Sequence, residues 1–175
     1  FALANIVRVD IVTEEDIPVT YTLTDVAREA EVTAFISEGT ENELRVKNTI
    51  KAQNKFEDIV KGYDIRLVSA TMIPEILALI DGGTWNSSSK KYTAPVVGSP
   101  VNRTPFTLHI YTEEKDADGS TLNYVKFIYK HCTGQPANYT LQDGEFFVPE
   151  LTAKSRPKIG ESPVEFEVLE ELPAV

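Results

Sequence analysis

His109, His131 and Cys132 are the only soft metal-ligand side chains in this sequence of 175 residues, which holds two histidines and one cysteine. Donors of this kind hold zinc when three or four converge within about 2.0–2.3 Å of the ion. The spacing argues against convergence. Phe106 to Tyr111 and Tyr124 to Lys130 alternate apolar and polar residues around Asp118-Gly119 and read as a hairpin. Turning it near Ala117 sets His109 opposite Lys126 and leaves His131 five residues further along. That is roughly 15 Å or more at about 3.3 Å per residue. His131 and Cys132, as strand neighbours, point to opposite faces. Cys132 is expected as a small buried side chain rather than a nucleophile. No metal and no cofactor is expected.

The carboxylate pairs Glu113-Glu114, Glu165-Glu167 and Glu170-Glu171 have the types needed for acid and base work, but such runs are usually solvated faces. Glu165 and Glu167 fall on one face of a strand, where like charges cost stability, so something besides folding is expected to favour them. Trp85, Tyr92 and Tyr111 are stacking candidates for a carbohydrate or protein ligand. Three Asn-x-Ser/Thr triplets, at Asn86, Asn102 and Asn138, keep an extracellular β-sandwich binding module as the second reading. Trp85 behind Gly82-Gly83 is more simply a packing anchor. The sequence contains no glycine-rich phosphate loop, no G-x-S-x-G elbow, no H-E-x-x-H and no calcium loop. An enzyme is not expected.

The element that organises the chain is the stretch from Gly62 to Trp85. Ile65 and Leu67 alternate with charged residues as a half-buried strand does, and then the period changes. Ile73, Ile76, Leu77 and Ile80 form one stripe of a short helix over about 73–81. Pro74 starts it, Glu75 complements its dipole and Gly82 stops it. A helix so short needs a sheet beneath it.

The remainder is β-patterned. Residues 1–4 read as an apolar arm, and Ile6 to Val12 as a strand with Val7, Val9 and Ile11 opposite Arg8 and Asp10. Val19, Tyr21 and Leu23 mark a short strand, and Asp25 to Ala30 a single helical turn. Glu31 to Ser37 and Glu43 to Ala52 read as the arms of a hairpin around Gly39, Thr40 and Asn42, within a long projecting segment over 38–61. Asn86 to Lys91, Pro95 to Pro105 and Thr133 to Gln142 are connections. Glu145 to Val148 reads as a short strand and Ser155 to Pro163 as a basic loop. The last strand, Val164 to Leu169, is expected to turn Val164, Phe166 and Val168 inward.

Composition sets outer bounds. With 42% hydrophobic residues the chain can bury one core, and a single domain over 1–175 is expected. Seventeen basic against 27 acidic residues give a net charge of −10, unsuited to gripping phosphate or an anionic membrane. No apolar run approaches the roughly 20 residues of a membrane span, and no secretory leader is visible. A soluble protein made in a reducing cytoplasm is the expectation.

The wording of YDIRLVSATMIPEILALIDGG and TAKSRPKIGESPVEFEVLEELP, with EVTAFISEGTENELRVKNTIKAQNKFED ahead of the helix, resembles the bacteriophage major tail tube proteins. These stretches cover a little under half of the chain. The resemblance implies a two-sheet β-sandwich or partial barrel with one flanking helix. It implies homo-oligomeric rings, usually of six, stacked into a hollow tail tube, with tape measure, terminator and baseplate or tip proteins as further partners. DNA would pass through the lumen without specific binding, and the protein would reside in the virion after synthesis in the bacterial host cytoplasm. A loop reaching the neighbouring ring is also implied. The 38–61 segment is its candidate, with Arg45, Lys47, Lys51, Asn54, Lys55 and Phe56 as contact residues. Glu165, Glu167, Glu113 and Glu114 are the candidates for an acidic lumen that repels phosphates.

Overall fold

The computed structural model describes residues 1–24 and 27–175. In chain order its elements are β1 (Leu3–Thr13), β2 (Thr20–Thr24), β3 (Ala27–Ser37), β4 (Glu41–Val46), β5 (Thr49–Lys55), β6 (Ile59–Ser69), α1 (Pro74–Asp81), β7 (Thr84–Asn86), β8 (Lys91–Thr93), β9 (Phe106–Lys115), β10 (Thr121–Gly134), β11 (Glu150–Ser155) and β12 (Val164–Leu169). The protein is mainly β with one short helix, a sandwich-like arrangement as the sequence suggests. Eight strands form one sheet in the order β2-β1-β9-β10-β11-β6-β3, with β12 also paired to β10.

The sheet divides on β10. Its residues Tyr124 to Tyr129 pair with β12, while Cys132 to Gly134 pair with β11. Between the two stretches the ladder to β9 slips, and His131 takes φ 52°. A non-glycine residue there marks a bulge that bends and twists the strand. The two halves then face each other across one core. Val9, Ile11, Leu108 and Ile110 meet Ile65, Leu67, Leu151 and Ala153, with Ile76 and Ile80 of α1 closing one side.

Glu14 holds the bulge. Its Oε1 accepts the His131 N–H at 2.8 Å and the Thr107 hydroxyl at 3.0 Å, and its Oε2 lies 3.0 Å from His131 Nδ1. Burial pushes the Glu14 carboxyl up, but these hydrogen bonds outweigh it and hold the group below the usual carboxylate range.

The helix follows its sequence signals. Ile73 is extended, Pro74 opens α1, and Gly82 closes it at φ 86° with its N–H on Ala78 O. Asp81 then ties the helix end to three segments. It accepts the Tyr92 hydroxyl and, at 2.9 Å, the Ala137 N–H, while its carbonyl accepts both Arg103 Nε and Nη2. The Arg103 cation at a helix C-terminus also suits the dipole. Beneath it, Gly134 lets the helix touch the sheet, since a Cβ there would stand 2.1 Å from Ile80 O.

Several expectations are corrected. Residues 31–37 pair with β6 rather than with residues 43–52, and β4 pairs with β5 as a separate hairpin. Asp25 and Val26 lie outside the described residues, but 27–30 is strand, not helical turn. Leu3 and Ala4 are not a loose arm; they pair with Glu114 and Glu113. Glu145 to Val148 is loop, and β11 is a strand that two inward apolar residues were too few to signal. His109 faces Ile128, not Lys126, because the turn is centred on Asp118 rather than Ala117 and the ladder shifts by one further residue between Thr121 and Tyr124. On β12, Phe166 is 69% exposed and Val168 is exposed too, on a strand that pairs with β10 alone among the described residues.

Arg8 and Asp10, which sit on the face of β1 away from the core, are themselves buried. They form a 2.7 Å ion pair with side chains 5% and 6% exposed. Arg8 also donates to Pro173 O at 2.5 Å and lies over the Tyr111 ring, while Thr22 donates to Asp10. The C-terminal segment therefore crosses the outer face of the sheet and covers the pair.

Two outcomes follow. Gly134→Ala forces α1 off the sheet and lowers stability by about 1–3 kcal/mol or more in urea unfolding. Glu14→Gln costs about 1 kcal/mol at neutral pH, since hydrogen bonds to the charged carboxylate are lost. The stabilisation by Glu14 is full above its ordinary value of 4.5 and fades as pH falls through the lower folded value. Unfolding free energy followed from neutral to acid pH should therefore fall less steeply in the variant.

Candidate assembly surface

The β4–β5 hairpin projects beyond the sandwich. Every residue of both strands is exposed, and among the described residues the two strands pair only with each other. Sequence accounts for the hairpin itself: Glu41 faces Lys55, Glu43 faces Gln53 and Leu44 faces Ala52 across the ladder. An isolated two-stranded hairpin is marginal in water at best, since it buries no face. Here its exposed apolar side chains Leu44, Val46, Ile50 and Phe56 have no partner layer within the described residues.

The root, in contrast, is firmly built. The Phe56 N–H reaches Thr40 O at 2.8 Å, and the Gly39 N–H reaches Asp58 Oδ1 at 2.7 Å. Gly39 is required by packing, because a Cβ would fall 1.7 Å from Phe56 O. Just below, the Arg156 guanidinium lies 4.1 Å over the Phe35 ring, bonds Asp64 at 2.7 Å and donates to Tyr63 O. That stack fastens β3 to β6 where the arm leaves the sheet.

All six residues named for the contact loop lie on this arm or at its root. Arg45 follows Glu41 and Glu43 on one face, Lys47 is at the tip with φ 56°, and Lys51 is the extra residue of a bulge. Asn54 faces Asn42, Lys55 lies 3.9 Å from Glu57, and Phe56 is exposed. From Leu44 to Phe56 the chain has Arg45, Lys47, Lys51 and Lys55 and no acidic residue. Against a net charge of −10, this is a local reversal of sign.

The four candidate lumen carboxylates divide. Glu113, Glu165 and Glu167 share one sheet face by register, and Glu114 lies on the other. Glu165 pairs with Lys130 and Glu167 with Lys126, each at 3.0 Å. The neighbouring lysines offset the repulsion along β12, so folding alone accounts for that ladder. Glu113 is held below the usual range by the Asn5 amide at 2.6 Å and then by Lys115 and Thr121. Glu114 accepts from Asn123.

The three aromatic candidates do not form a platform. Trp85 faces Tyr92 across β7–β8, the Tyr92 hydroxyl is taken by Asp81, and Tyr111 is buried under Arg8. Among the described residues no group of three His, Cys, Asp or Glu side chains stands close enough to hold a metal. Cys132 is fully buried, and burial pushes its thiol up to about 12, leaving it protonated at neutral pH.

A second surface feature escaped the sequence. A cavity of about 620 Å³ opens between α1 and the 137–149 segment, lined mainly by apolar side chains that include Met72, Ile76, Leu77, Tyr139 and Phe147. Its walls come from the helix, from a stretch read as a connection (Thr133 to Gln142) and from one read as a short strand (Glu145 to Val148), so no local pattern announced it. No family model matches the chain, and no curated protein matches it significantly.

Gly39→Ala should loosen the arm at its root. Tryptic cleavage after Arg45, Lys47 and Lys51 is expected to rise several-fold under native conditions, with thermal unfolding of the core unchanged.

Proposed function

We propose that this protein is a non-enzymatic structural subunit that polymerises into the stacked rings of a phage tail tube, a conduit through which DNA passes. The observation that carries the reading is the β4–β5 arm, a fully exposed hairpin with apolar and basic side chains that its own chain leaves uncovered. A hairpin of this kind gains its missing layer from another copy. The outer strands of the sheet support the same reading. Among the described residues β2, β3 and β12 each pair with a single neighbour, leaving backbone groups on their other edges for strands of adjacent subunits. Head-to-tail pairing of such edges closes into rings when the rotation closes.

Net negative charge suits a lumen along which phosphates slide rather than adhere. Within the proposal, rings of six copies present Glu113, Glu165 or Glu167 toward the lumen, and tape measure, terminator and baseplate or tip proteins contact the tube ends. The virion is the place of residence.

The arm can be removed at a natural joint, since Thr40 and Phe56 are already hydrogen bonded. Replacing Glu41 to Lys55 by a short Gly/Ser turn should leave a folded monomer with an unchanged melting temperature. That monomer should form no cylinders in negative-stain micrographs under conditions where the intact chain does. Normal tubes from the shortened chain would remove the arm from the mechanism.

A further inference from the structure

The apolar cavity beside α1 and the projecting arm lie at opposite ends of one strand. β6 receives the chain from the arm at Ile59 and delivers it to the cavity at Ser69, which lines the opening. At about 3.3 Å per residue these points are roughly 33 Å apart. A copy therefore cannot fold its own arm back into its own cavity without breaking the β3–β6 ladder.

The two surfaces are complementary. Asp81 and Glu150 line the cavity, and Glu75, Asp143 and Glu145 lie outside the lining in the same two segments, 69–81 and 135–150, which contain neither lysine nor arginine. Asp81 and Glu150 are engaged within the chain, by Tyr92 and Ala137 and by Arg66 at 2.5 Å. Glu75, Asp143 and Glu145 are exposed and make no ion pair among the described residues. The arm carries Glu41 and Glu43 near its root, but beyond them it offers the opposite charge in Arg45, Lys47, Lys51 and Lys55. It also offers apolar side chains, and the cavity rim has exposed apolar side chains of its own in Met72, Tyr139 and Leu141.

We propose that the groove between α1 and the 137–149 segment is the receptor for the β4–β5 arm of a second copy. The inference rests on the tube reading and adds the address to which the arm is delivered. The contact is heterologous, arm of one copy into groove of the next. Because its two halves lie at opposite ends of β6, each copy that docks presents a fresh groove or a fresh arm, and the contact propagates along the strand direction. Apolar burial would hold the arm, and the charge reversal would choose its partner and orientation.

The test combines cross-linking with charge exchange on the intact chain. Carbodiimide, which joins a lysine amine to a carboxylate with loss of water, is applied to an equal mixture of unlabelled and nitrogen-15 protein at concentrations where it assembles. Links from Lys51 or Lys55 to Asp143, Glu145 or Glu75, carrying one labelled and one unlabelled peptide, are expected. In parallel, Asp143→Lys with Glu145→Lys should weaken self-association by about tenfold or more in sedimentation velocity, with the melting temperature unchanged. Adding Lys51→Glu and Lys55→Glu to the same chain should recover most of the loss. Arm lysines linked only to carboxylates elsewhere, or a groove reversal that assembles as the wild type does, would overturn the inference. If the groove variant assembles while the arm-deleted chain does not, the tube reading stands and the groove is refuted. A wild-type chain that stays monomeric at every concentration refutes both.

Discussion

The clamp of Glu14 on the β10 bulge is the contact on which the two halves of the sandwich turn. β10 must serve β9 along one edge and two different strands along the other, and no regular strand can do this while keeping both sets of side chains in one core. The left-handed backbone at His131 solves the geometry at a steric cost. Glu14 offsets that cost by accepting the freed His131 N–H in a charge-assisted hydrogen bond. Once β10 is bent, Cys132 and Gly134 fall beneath α1 and beside β11, and the helix can sit directly on the sheet.

Charge is handled differently on the two sides of that sheet. The inner side is apolar, whereas the outer side carries Asp10, Arg8, Lys126, Lys130, Glu165 and Glu167 in cross-strand reach of one another. Exposed pairs such as Lys130–Glu165 contribute little individually. Arg8–Asp10 is another case, because the C-terminal segment has removed its water. A buried pair stabilises only when its remaining hydrogen-bonding capacity is met, and here Thr22, Pro173 and the Tyr111 ring meet much of it. The tail is thereby tied to a polar surface through Pro173 O.

The arm inverts the usual economy of a small β protein. Sheet edges and lone hairpins are ordinarily shortened or covered, because they recruit other chains. Here the fold spends Gly39, Asp58 and the Arg156–Phe35 stack on holding such a hairpin out from the body. A firmly built root under an uncovered tip suits the proposed role of a connector between copies, since a floppy arm would lose its ordering entropy on every docking event.

Much of this was legible in the residues. The helix limits, the β9–β10 hairpin, the β12 strand and the projection of the 38–61 stretch, whose last residues from Ile59 belong to β6, rest on short-range rules of period, proline, glycine and turn chemistry, and those rules act within a few residues of one another. Partner choice does not. That β3 pairs with β6 across the arm, that ELTAKS becomes β11, and that Phe166 stays exposed depend on which segments meet, which no local window contains. The same holds for the candidate site. The arm and its basic residues were visible because they form one contiguous stretch, whereas the groove is assembled from segments about 60 residues apart. Composition and local pattern alone settled that the chain would be β-rich, acidic and punctuated by one helix. Only tertiary packing decided that Arg8 and Asp10 would be buried, that Glu14 would hold a bulge and that an apolar groove would open beside α1, because each is created by chain segments meeting in space.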